Sequence, residues 1–346
     1  LGWFIPVVPG TSFVTIGGAV AADIHGKNHY RESSIASHIQ SITLMLADGE
    51  VIRCSKTEEA PIFWATMGGL GLTGIVIEAT IQLSRIRSSK VQVSRKSFGN
   101  FSDLFEAMKS QVNRFEYSVA WLDLISKYNF GRGILETANH EISNPNPEFS
   151  YRTKPSLPLP NHLADTFLRR STVKAYNSLR FLSAGKTETI RKTELSTFMH
   201  PLDKVKNWNR LYGKSGIIQW QVAVPEVAEH TLFDVIDSIK KAKVPAFLVV
   251  LKKLGASNQA PLSFPMKGWT LAVDFPANYK RIYGFLDALD QELIQAGGRI
   301  YLAKDVRLDP ELIPKMYPDL DEWKSIRQNI DPYRRWQSDF SRRLNL

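Results

Sequence analysis

Residues 9–29 read PGTSFVTIGGAVAADIHGKNH, a stretch in which glycine and other small residues lead into a dense polar cluster. Glycine has no Cβ, so it tolerates positive φ and lets backbone N–H groups approach a phosphate closely. The small-residue run 17–22 predicts a helix that packs close to a ligand, and residues 23–29 supply polar side chains beside it. These features favour a backbone cradle for a phosphate-bearing ligand such as a dinucleotide.

A second glycine-rich segment, residues 68–74, reads GGLGLTG. The spacing of Gly69, Gly71 and Gly74 matches the Rossmann fingerprint formally, but no acidic residue closes a βαβ unit about 20 residues further on. The sequence that follows is rich in β-formers instead of helix formers. Taken alone, these glycines are better interpreted as tight turns in a β-rich domain.

The polar cluster contains two histidines, His25 and His29, at a spacing that suits a metal if the segment is helical. Gly26 lies between them, and no Cys or Glu partner accompanies them in the motif. A histidine on its own is more often structural than catalytic. We therefore predict no metal site here.

The flanking hydrophobic patterns predict an α+β fold. Residues 41–46 and 51–54, joined by Asp48-Gly49, indicate a β-hairpin with a two-residue turn. Further strands are predicted over 74–83, 118–124, 217–224, 246–251 and 269–275, and helices over 102–115, 226–243, 279–296 and much of 309–346. The helix at 102–115 is expected to be capped by Ser102 or Asp103. This order indicates a sheet covered by helices on one face.

Composition excludes several classes of protein. The longest apolar run, residues 245–251, is far shorter than the ~20 residues of a membrane-spanning helix. The single cysteine, Cys54, excludes an intramolecular disulfide and a cysteine-built metal cluster. A net charge of +10 indicates an anionic partner without naming it.

The positive charge is concentrated in residues 151–192, which carry nine Lys or Arg against two acidic residues. Within them, residues 163–182 form a basic amphipathic pattern that follows the proline-rich stretch 144–161. Leu163, Phe167, Leu168, Tyr176 and Leu179 fall near one face of that helix. A solvated basic insertion is one interpretation, and contact with an anionic membrane or a phosphate-bearing substrate is the other. No nucleic-acid motif is present, so we predict no nucleic-acid partner.

The segment 9–29 resembles the flavin-contacting segment of the vanillyl-alcohol oxidase and p-cresol methylhydroxylase superfamily. Downstream motifs, in matching order, resemble one family within it, the oxidases of polyprenyl-phosphate-linked pentoses. These motifs are ADGE (47–50), FWATMGGLGLTGI (63–75), FMHPLDKVKNWNRLYG (198–213), NQAPLSFPMKGW (258–269), VDFP (273–276), AKD (303–305) and MYPDLDEW (316–323).

The resemblance implies a noncovalently bound FAD and a split domain order. Residues 1–88 would be the second half of the FAD-binding domain, 89–298 a substrate-binding domain with an antiparallel sheet covered by helices, and 299–346 a return to the FAD-binding domain. The family's FAD contacts carry over onto Gly10, Thr15, Ile16, Gly17, Gly18, Ala22, Asp23, Ile24, His25, Val76 and Tyr301. The first half of the FAD-binding domain is not in this sequence, so we expect the chain by itself to hold FAD weakly.

The reaction implied is oxidation of a secondary hydroxyl, the 2′-OH of a lipid-linked ribose phosphate, to a ketone. Lys304 matches the family's essential active-site lysine, and His25 would lie beside the isoalloxazine. Substrate contacts carry over onto Lys252, Gln219, Gln221 and Tyr301. The family further implies an NADH-dependent short-chain reductase that completes an epimerisation used in cell-wall arabinan synthesis. It also implies a cytoplasmic or periplasmic location with peripheral membrane association.

Three positions depart from the family pattern. Val249 and Thr270 replace asparagines and Ala272 replaces a cysteine, so we expect a pocket of different polarity. The loop 33–38 also differs from the glycine-rich sequence of the family. Two other functions stay open from sequence: a soluble sugar-alcohol or aldonolactone oxidase of the same superfamily, and a non-catalytic module that binds anionic membranes.

Overall fold

The computed structural model describes residues 2–126, 130–141, 149–151 and 170–346. Within them the strands form three antiparallel sheets, of two, three and eight strands, and helices pack on both faces of the largest sheet. This arrangement confirms the predicted α+β class with an antiparallel sheet covered by helices. No helix among these residues is both long enough and apolar enough to cross a bilayer.

The first part of the chain builds the two smaller sheets. Their strands are β1 (Trp3–Phe4), β2 (Ile39–Met45), β3 (Val51–Ser55), β4 (Ile75–Ile81) and β5 (Ser84–Arg85). Strands β2 and β3 form the predicted hairpin, but its connection is longer than two residues. Met45 pairs with Val51, and Leu46 N donates to Glu50 O at 2.8 Å, so three residues separate the last bonded pair. Gly49, at φ +94°, supplies the left-handed position that this longer turn requires.

Three short helices flank these strands: α1 (Ile16–Ala21), α2 (His29–Glu32) and α3 (Ala60–Thr66). Helix α1 is the predicted small-residue helix, and the Thr15 hydroxyl caps it by accepting from Gly18 N. A Cβ built at Gly17 would lie 3.7 Å from the Val76 Cβ, an ordinary contact distance, so α1 packs directly beside β4 at this point.

The eight-stranded sheet has the order β13-β10-β12-β11-β7-β8-β6-β9. Its strands are β6 (Lys90–Phe98), β7 (Tyr117–Asp123), β8 (Arg132–His140), β9 (Thr189–Glu194), β10 (Ile217–Pro225), β11 (Val249–Leu254), β12 (Gly268–Pro276) and β13 (Arg299–Ile300). The helices beside it are α4 (Phe101–Gln111), α5 (Arg170–Ala184), α6 (Leu195–Met199), α7 (Thr231–Ala242) and α8 (Ile282–Gln295).

The two faces of this sheet have different roles. Helices α4, α7 and α8 cover one face and bury the main apolar core, which includes Phe105, Ile236, Leu286 and Trp269. On the other face, alternate residues of β10, β12 and β11 point the opposite way. That second face carries Gln219, Gln221 and Lys252, and it is the floor of the candidate site.

Several element boundaries differ from the sequence prediction. Asn100, not Ser102 or Asp103, caps α4, because its side chain accepts from Asp103 N. The helix predicted over 226–243 is broken into a short 3₁₀ turn, Glu226–Ala228, and α7. The helix predicted from 279 begins at Ile282, and Gly297 at φ +74° follows its end as expected.

The end of the chain returns to its beginning. Helices α9 (Ile313–Met316), α10 (Leu320–Ile330) and α11 (Asp339–Arg343) follow β13, so the predicted helical tail is three short helices. The buried Trp323 indole donates to Ala65 O at 2.9 Å, and an Arg335 guanidinium N–H donates to Ala47 O at 3.0 Å. These bonds fasten residues after 300 to the hairpin and α3.

Only part of the predicted basic helix falls on described residues. Leu163, Phe167, Leu168 and most of the proline-rich stretch lie outside them. In α5, Val173, Asn177 and Ala184 are buried against the face of the sheet opposite to α4, α7 and α8, so the prediction of helices on one face only is wrong. Tyr176 and Leu179 do share a face, as predicted, and that face is exposed.

Candidate active site

Three aromatic rings meet where α1 ends and the sheet begins. His25 lies 5.6 Å from Phe264 and 5.8 Å from Tyr301, measured between ring centroids, and Phe264 stacks on Tyr301 at 4.5 Å. The Tyr301 hydroxyl donates to Ala22 O at 2.7 Å. Two residues that are almost 280 positions apart in sequence are therefore fixed against each other, and His25 is held between them and the sheet.

The ring nitrogens of His25 both face donor groups. Gln221 Nε2 is 2.8 Å from His25 Nε2, and Lys252 Nζ is 3.3 Å from His25 Nδ1. Burial, reinforced by the neighbouring cations Lys252 and Lys304, lowers the pKa of His25 well below its usual value. The ring is therefore neutral, with one N–H and one acceptor nitrogen.

The tautomer of His25 is coupled to the protonation of Lys252. When the Gln221 amide donates to Nε2, the proton is on Nδ1, and Lys252 can meet it only as a free amine. When Lys252 is an ammonium, Nδ1 must accept, and Gln221 must turn its carbonyl oxygen toward Nε2–H. A free amine can also donate to Nδ1, so in this second arrangement Lys252 can gain or lose a proton with no change at His25 or Gln221.

Gln221 is itself held by Thr270. The Gln221 Nε2 atom lies 3.2 Å from Thr270 Oγ1, and both residues are almost fully buried. Strand register explains the contact, because Gln221 pairs with Ala272 and Ala223 with Thr270, so both side chains emerge on the pocket face. A hydroxyl can donate or accept, which lets Thr270 satisfy either orientation of the Gln221 amide.

Three lysines approach the pocket. Burial, followed by repulsion from Lys27 and Lys304, lowers the pKa of Lys252 to about 7. The Lys304 side chain is exposed, but surrounding protein atoms lower its pKa and the Asp274 carboxylate opposes that shift. Lys252 is therefore close to half-protonated at neutral pH, a condition that suits a group accepting a proton.

Asp274, on β12 opposite Gln219 of β10, is the centre of a second polar group. Gln219 Nε2 donates to its Oδ1 at 2.7 Å and the Tyr212 hydroxyl donates to its Oδ2 at 3.1 Å. Burial raises the pKa of Asp274 although both hydrogen bonds act against that shift. Gln219 thus faces the pocket side as predicted, but its amide is engaged by this carboxylate.

Asp23 has a structural role in the site. Its fully buried carboxylate accepts from Ala36 N at 3.1 Å, from Asn258 Nδ2 at 2.6 Å and from the Ser263 hydroxyl. Burial raises its pKa despite these donors. The side chain therefore ties the loop after α1 to the segment 258–263 and is not free to contact a ligand. Any contact of Asp23 with a cofactor would be made by its backbone.

The His29 side chain also has a structural role and does not face the pocket. Its Nδ1 accepts from Gly255 N at 2.9 Å, which places the ring proton on Nε2. Burial lowers the pKa of His29 to about 3, so it stays neutral. His25 and His29 are not on one helix, since α2 begins at His29, and their ring centroids are 6.2 Å apart.

The segment around α1 fits a nucleotide cofactor that presents both phosphates and flat rings. Asp203 fixes the loop before α1, accepting from the Thr11 hydroxyl at 2.8 Å and from Ser12 N at 2.7 Å. A Cβ at Gly10 would meet nothing within 4 Å, so the backbone there is open to a ligand. Phe13 and Ile16 present exposed apolar surface beside it. Backbone N–H groups at glycines suit the pyrophosphate of such a cofactor, and the neighbouring apolar side chains suit its flat rings.

Comparisons with known proteins agree with this geometry. The chain is 36% identical to the decaprenylphosphoryl-beta-D-ribose oxidase of Mycolicibacterium smegmatis, over all of this chain and 76% of that protein. The chain belongs to the decaprenylphosphoryl-beta-D-ribose oxidase family. It is also 34% identical to an uncharacterized protein of the mprA 5′ region of Streptomyces coelicolor, over 97% of that protein.

Two domain families match parts of the chain. Residues 1–55 match an FAD binding domain, and residues 227–344 match the D-arabinono-1,4-lactone oxidase family. A more distant similarity, 34% identity over 71 residues, links the chain to mouse L-gulonolactone oxidase. Like the decaprenylphosphoryl-beta-D-ribose oxidase family to which it belongs, the protein is an FAD-dependent oxidoreductase.

The structure brings most of the predicted site residues together. His25, Gln221, Lys252, Tyr301 and Lys304 converge on one pocket. The glycine-rich residues and Thr15 lie at the start of α1, and Val76 lies beside Gly17. Their contacts with FAD stay predictions, as do the roles of the pocket residues.

One predicted pocket residue is elsewhere. Val249 was expected to alter pocket polarity, but it is buried in the apolar core under the helices. Strand alternation explains this, because Lys252 faces the pocket and residues an odd number of positions away face the opposite side. Val250, which pairs with Ala272, is the β11 residue on the pocket side.

Sequence reasoning missed Phe264, Asp274, Tyr212 and Lys27. All four lie inside motifs that carried the family resemblance: Phe264 in NQAPLSFPMKGW, Asp274 in VDFP, Tyr212 in FMHPLDKVKNWNRLYG and Lys27 in the segment 9–29. Their positions in those motifs were the available signal, and only the fold shows what each side chain touches.

Proposed function

We propose that this protein oxidises the 2′-hydroxyl of a polyprenyl-phosphate-linked pentose to a ketone. The observation that carries the proposal is the contact of Lys252 with His25, beside Tyr301 and Lys304, at the end of the glycine-rich segment. A lysine amine, a neutral histidine and a second cation are what a hydroxyl needs to lose a proton as its carbon gives up hydride. The Mycolicibacterium relative, named for a ribose carried on decaprenyl phosphate, supports the choice of substrate.

Lys252 is the proton acceptor in this proposal. Its Nζ, as a free amine, donates one N–H to His25 Nδ1 and takes the hydroxyl proton with its lone pair, and the resulting ammonium keeps the bond to Nδ1. With the His25 proton on Nε2 throughout, the Gln221 carbonyl oxygen accepts from Nε2–H and the Thr270 hydroxyl donates to the same oxygen. FAD, when bound, supplies the hydride acceptor and an anionic reduced form that a nearby cation stabilises. Lys304 is placed to be that cation.

We assign the FAD contacts to the residues around α1 and to Tyr301, and we propose that the cofactor is noncovalent. Both ring nitrogens of His25 are already occupied, one by Gln221 and one by Lys252. A histidyl–flavin bond would need one of those nitrogens. The proposed division of the chain puts 1–88 and 299–346 on the cofactor side and 89–298 on the substrate side. Its first boundary lies between the small sheets and the large one, whereas β13 (Arg299–Ile300), beyond the second boundary, still pairs with β10 in the large sheet.

The product defines the partner that we propose. A 2′-ketone becomes the epimeric alcohol when hydride returns to the opposite face of the carbonyl. An NADH-dependent short-chain reductase supplies that hydride, and together the two enzymes complete an epimerisation for cell-wall arabinan. A lipid-linked keto sugar stays at the membrane between the two steps, so both enzymes would work at the membrane surface.

Helix α5 supports peripheral membrane contact, on the cytoplasmic or the periplasmic side. Tyr176, Leu179 and Leu182 are 60–72% exposed at helical spacing, and Ile190 on β9 is 69% exposed nearby. Basic side chains surround this stripe: Arg170, Lys174, Lys186 and Arg191. Apolar residues ringed by cations are typical of a surface that lies on anionic lipid.

Liposome flotation tests the membrane part. The double variant Leu179→Glu with Leu182→Glu should lose flotation with anionic vesicles and keep its melting temperature. Val227→Glu, which changes an equally exposed apolar residue on another element, is the matched control and should float like the parent. Equal flotation of all three proteins contradicts α5 as the contact.

A substrate panel tests the chemistry. The FAD-loaded protein is assayed with a prenylphosphoryl-ribose, with free ribitol and arabinitol, and with aldonolactones. We expect turnover of the prenylphosphoryl-ribose, lost in Lys304→Ala, and negligible turnover of the free polyols. The match of 227–344 to the lactone oxidase family makes those compounds the serious rivals, and preferential turnover of them would reject the lipid-linked substrate.

A further inference from the structure

The pocket face of the large sheet carries more positive charge than its carboxylates balance. Arg132 is paired with Asp123 at 2.8 Å and Arg95 with Glu136 at 3.2 Å. Across the described part of the chain, Lys27, Lys252 and Arg180 have no such carboxylate partner. Lys252 has a proposed role beside His25. The unpaired positive charges of Lys27 and Arg180 have no role yet.

Lys27 projects over the end of β7. Its backbone oxygen accepts from Ser118 N at 3.0 Å, which lays the residue along the strand next to β11. Its Nζ donates to Phe198 O and lies 4.0 Å from the Phe198 ring centroid. Burial lowers the pKa of Lys27 to about 8, the Glu136 carboxylate opposes that shift, and the nearby cation Arg180 adds to it. One donor of the ammonium is used by Phe198 O, and an ammonium has three.

Arg180 reaches the same region from α5. Its guanidinium lies 4.8 Å from the Trp121 ring centroid, stacked over β7. Its Nε is buried without a hydrogen-bond partner. A guanidinium holds its donors in a planar fork that suits phosphate oxygens. The Arg180 guanidinium thus lies over an aromatic ring and has a buried N–H without a partner. Such a group favours binding of an anion from outside the protein.

The structure assigns Lys27 and Arg180 as the subsite for the phosphate of the substrate, a phosphodiester between the sugar and its lipid. This assignment rests on the proposed function and deepens it. Neither residue is among those that the resemblance carries over as FAD or substrate contacts.

Sheet register makes the distances suitable. Leu251 pairs with Ala120 and Val250 with Trp121, so the lysine that faces the sugar and the ring beneath Arg180 are on neighbouring strands. Neighbouring strands are about 4.8 Å apart. In a pentose 1-phosphate the phosphate oxygen is bonded to the carbon next to the reacting C2. A sugar at Lys252 therefore places its phosphate one strand away, over β7.

The direction from Lys252 to Arg180 continues out of the pocket toward α5. Beyond Arg180, helix α5 turns its exposed residues Tyr176, Leu179 and Leu182 to the surface. The order along the sheet is then sugar at Lys252, phosphate at Lys27 and Arg180, and lipid tail toward the apolar stripe of α5.

Paired substrates test the subsite in the FAD-loaded protein. The variants are Arg180→Gln and Lys27→Gln, with Lys315→Gln, an exposed lysine on α9 that belongs to neither the proposed site nor the proposed membrane surface, as the matched control. KM and kcat are measured with a short-chain prenylphosphoryl-ribose, and the inhibition constant is measured for an uncharged alkyl riboside. Loss of a charge-assisted hydrogen bond should raise KM for the phosphate substrate about 10-fold or more in both variants. In Arg180→Gln kcat should change little, whereas Lys27→Gln also removes a charge that lowers the pKa of Lys252 and should move the pH dependence of kcat upward. The inhibition constant of the riboside should stay the same.

A second arm does not depend on turnover. Inorganic phosphate should raise the melting temperature of the parent and of Lys315→Gln, and should do so less for Arg180→Gln. Phosphate protection with no prenylphosphoryl-ribose turnover would overturn the proposed substrate and keep an anion site. Parallel losses for the phosphate substrate and the riboside, or no loss for either, would overturn the subsite.

Discussion

Lys252 Nζ lies 3.3 Å from Nδ1 of His25, across the junction between the glycine-rich segment and the large sheet. Residues 227 positions apart in the sequence therefore contact each other, and Gln221 on β10 and Thr270 on β12 extend this contact into the large sheet. Lys304 contributes a second cation without touching this chain of contacts. The chemistry that we propose depends on the free amine at Lys252.

The first prediction concerns the pH dependence of flavin reduction by substrate. Burial lowers the pKa of Lys252 to about 7, so the amine is scarce below that pH and predominant above it. The rate of reduction should therefore rise as pH increases through about 7 and then level off. Lys252→Met should remove this dependence and slow reduction by about 100-fold or more, the usual contribution of a general base. Lys252→Arg, which keeps a charge that cannot be released, should be equally slow, and a normal rate in that variant would contradict the assignment.

The same residue predicts an effect on stability. The pKa of Lys252 is lower in the folded protein than its ordinary value of 10.5, so the unfolded state binds more protons between about pH 7 and pH 10. Stability of the parent should rise with pH across that window through this group. Lys252→Met removes the cost of the buried charge, and at pH 6 it should be more stable than the parent by on the order of 2 kcal/mol. Urea denaturation at pH 6 and pH 10 measures this, and an equal difference at both values would argue against a depressed pKa.

Thr270 gives a prediction that separates chemistry from packing. Thr270→Val keeps the shape of the side chain and removes the hydroxyl that holds Gln221, whereas Thr270→Ser keeps the hydroxyl. Valine should lower the rate of flavin reduction about 10-fold, in line with one buried hydrogen bond, and serine should restore most of it. The pH profile should shift in the valine variant, because Gln221 then orients differently against His25. Equal rates and profiles in the two variants would make Thr270 a packing residue.

Asp23 predicts a structural effect. Its carboxylate accepts from Ala36, Asn258 and Ser263, so Asp23→Ala leaves several buried donors without a partner. We expect a loss of about 3 kcal/mol in the free energy of unfolding and weaker retention of FAD, because the loop after α1 is released. Asp237→Ala, which removes only a surface pair with Lys241, is the control and should cost no more than about 1 kcal/mol. Similar losses in both variants would contradict the anchoring role of Asp23.

Local pattern predicted many of the elements, but not strands β8 and β9. The hairpin around Asp48-Gly49, helix α1 and strands β4, β7, β10 and β12 follow from alternation, turn residues and glycine. Their exact ends were less predictable, because tertiary contacts decide them. Helix α4 is capped by Asn100 since that side chain, and not the neighbouring serine, reaches Asp103 N.

Pairing across the sheet could not be inferred from one strand. The sequence alone does not distinguish Val249 from Val250. The register with β12 shows that Val250 faces the pocket and Val249 faces the core. The partners of Asp23 likewise come from a segment more than 200 residues away. The family resemblance located the site, and the fold shows which side chains in it are free to act.

The most direct test of the account is anaerobic reduction of the bound flavin by a single addition of prenylphosphoryl-β-D-ribose. We predict loss of the flavin absorbance at about 450 nm, slower when C2 of the ribose carries deuterium, and formation of the 2′-ketone. The Lys304→Ala variant should show no such bleaching. Unchanged absorbance in the parent, or bleaching without sensitivity to deuterium at C2, would contradict hydride removal from that carbon at this site.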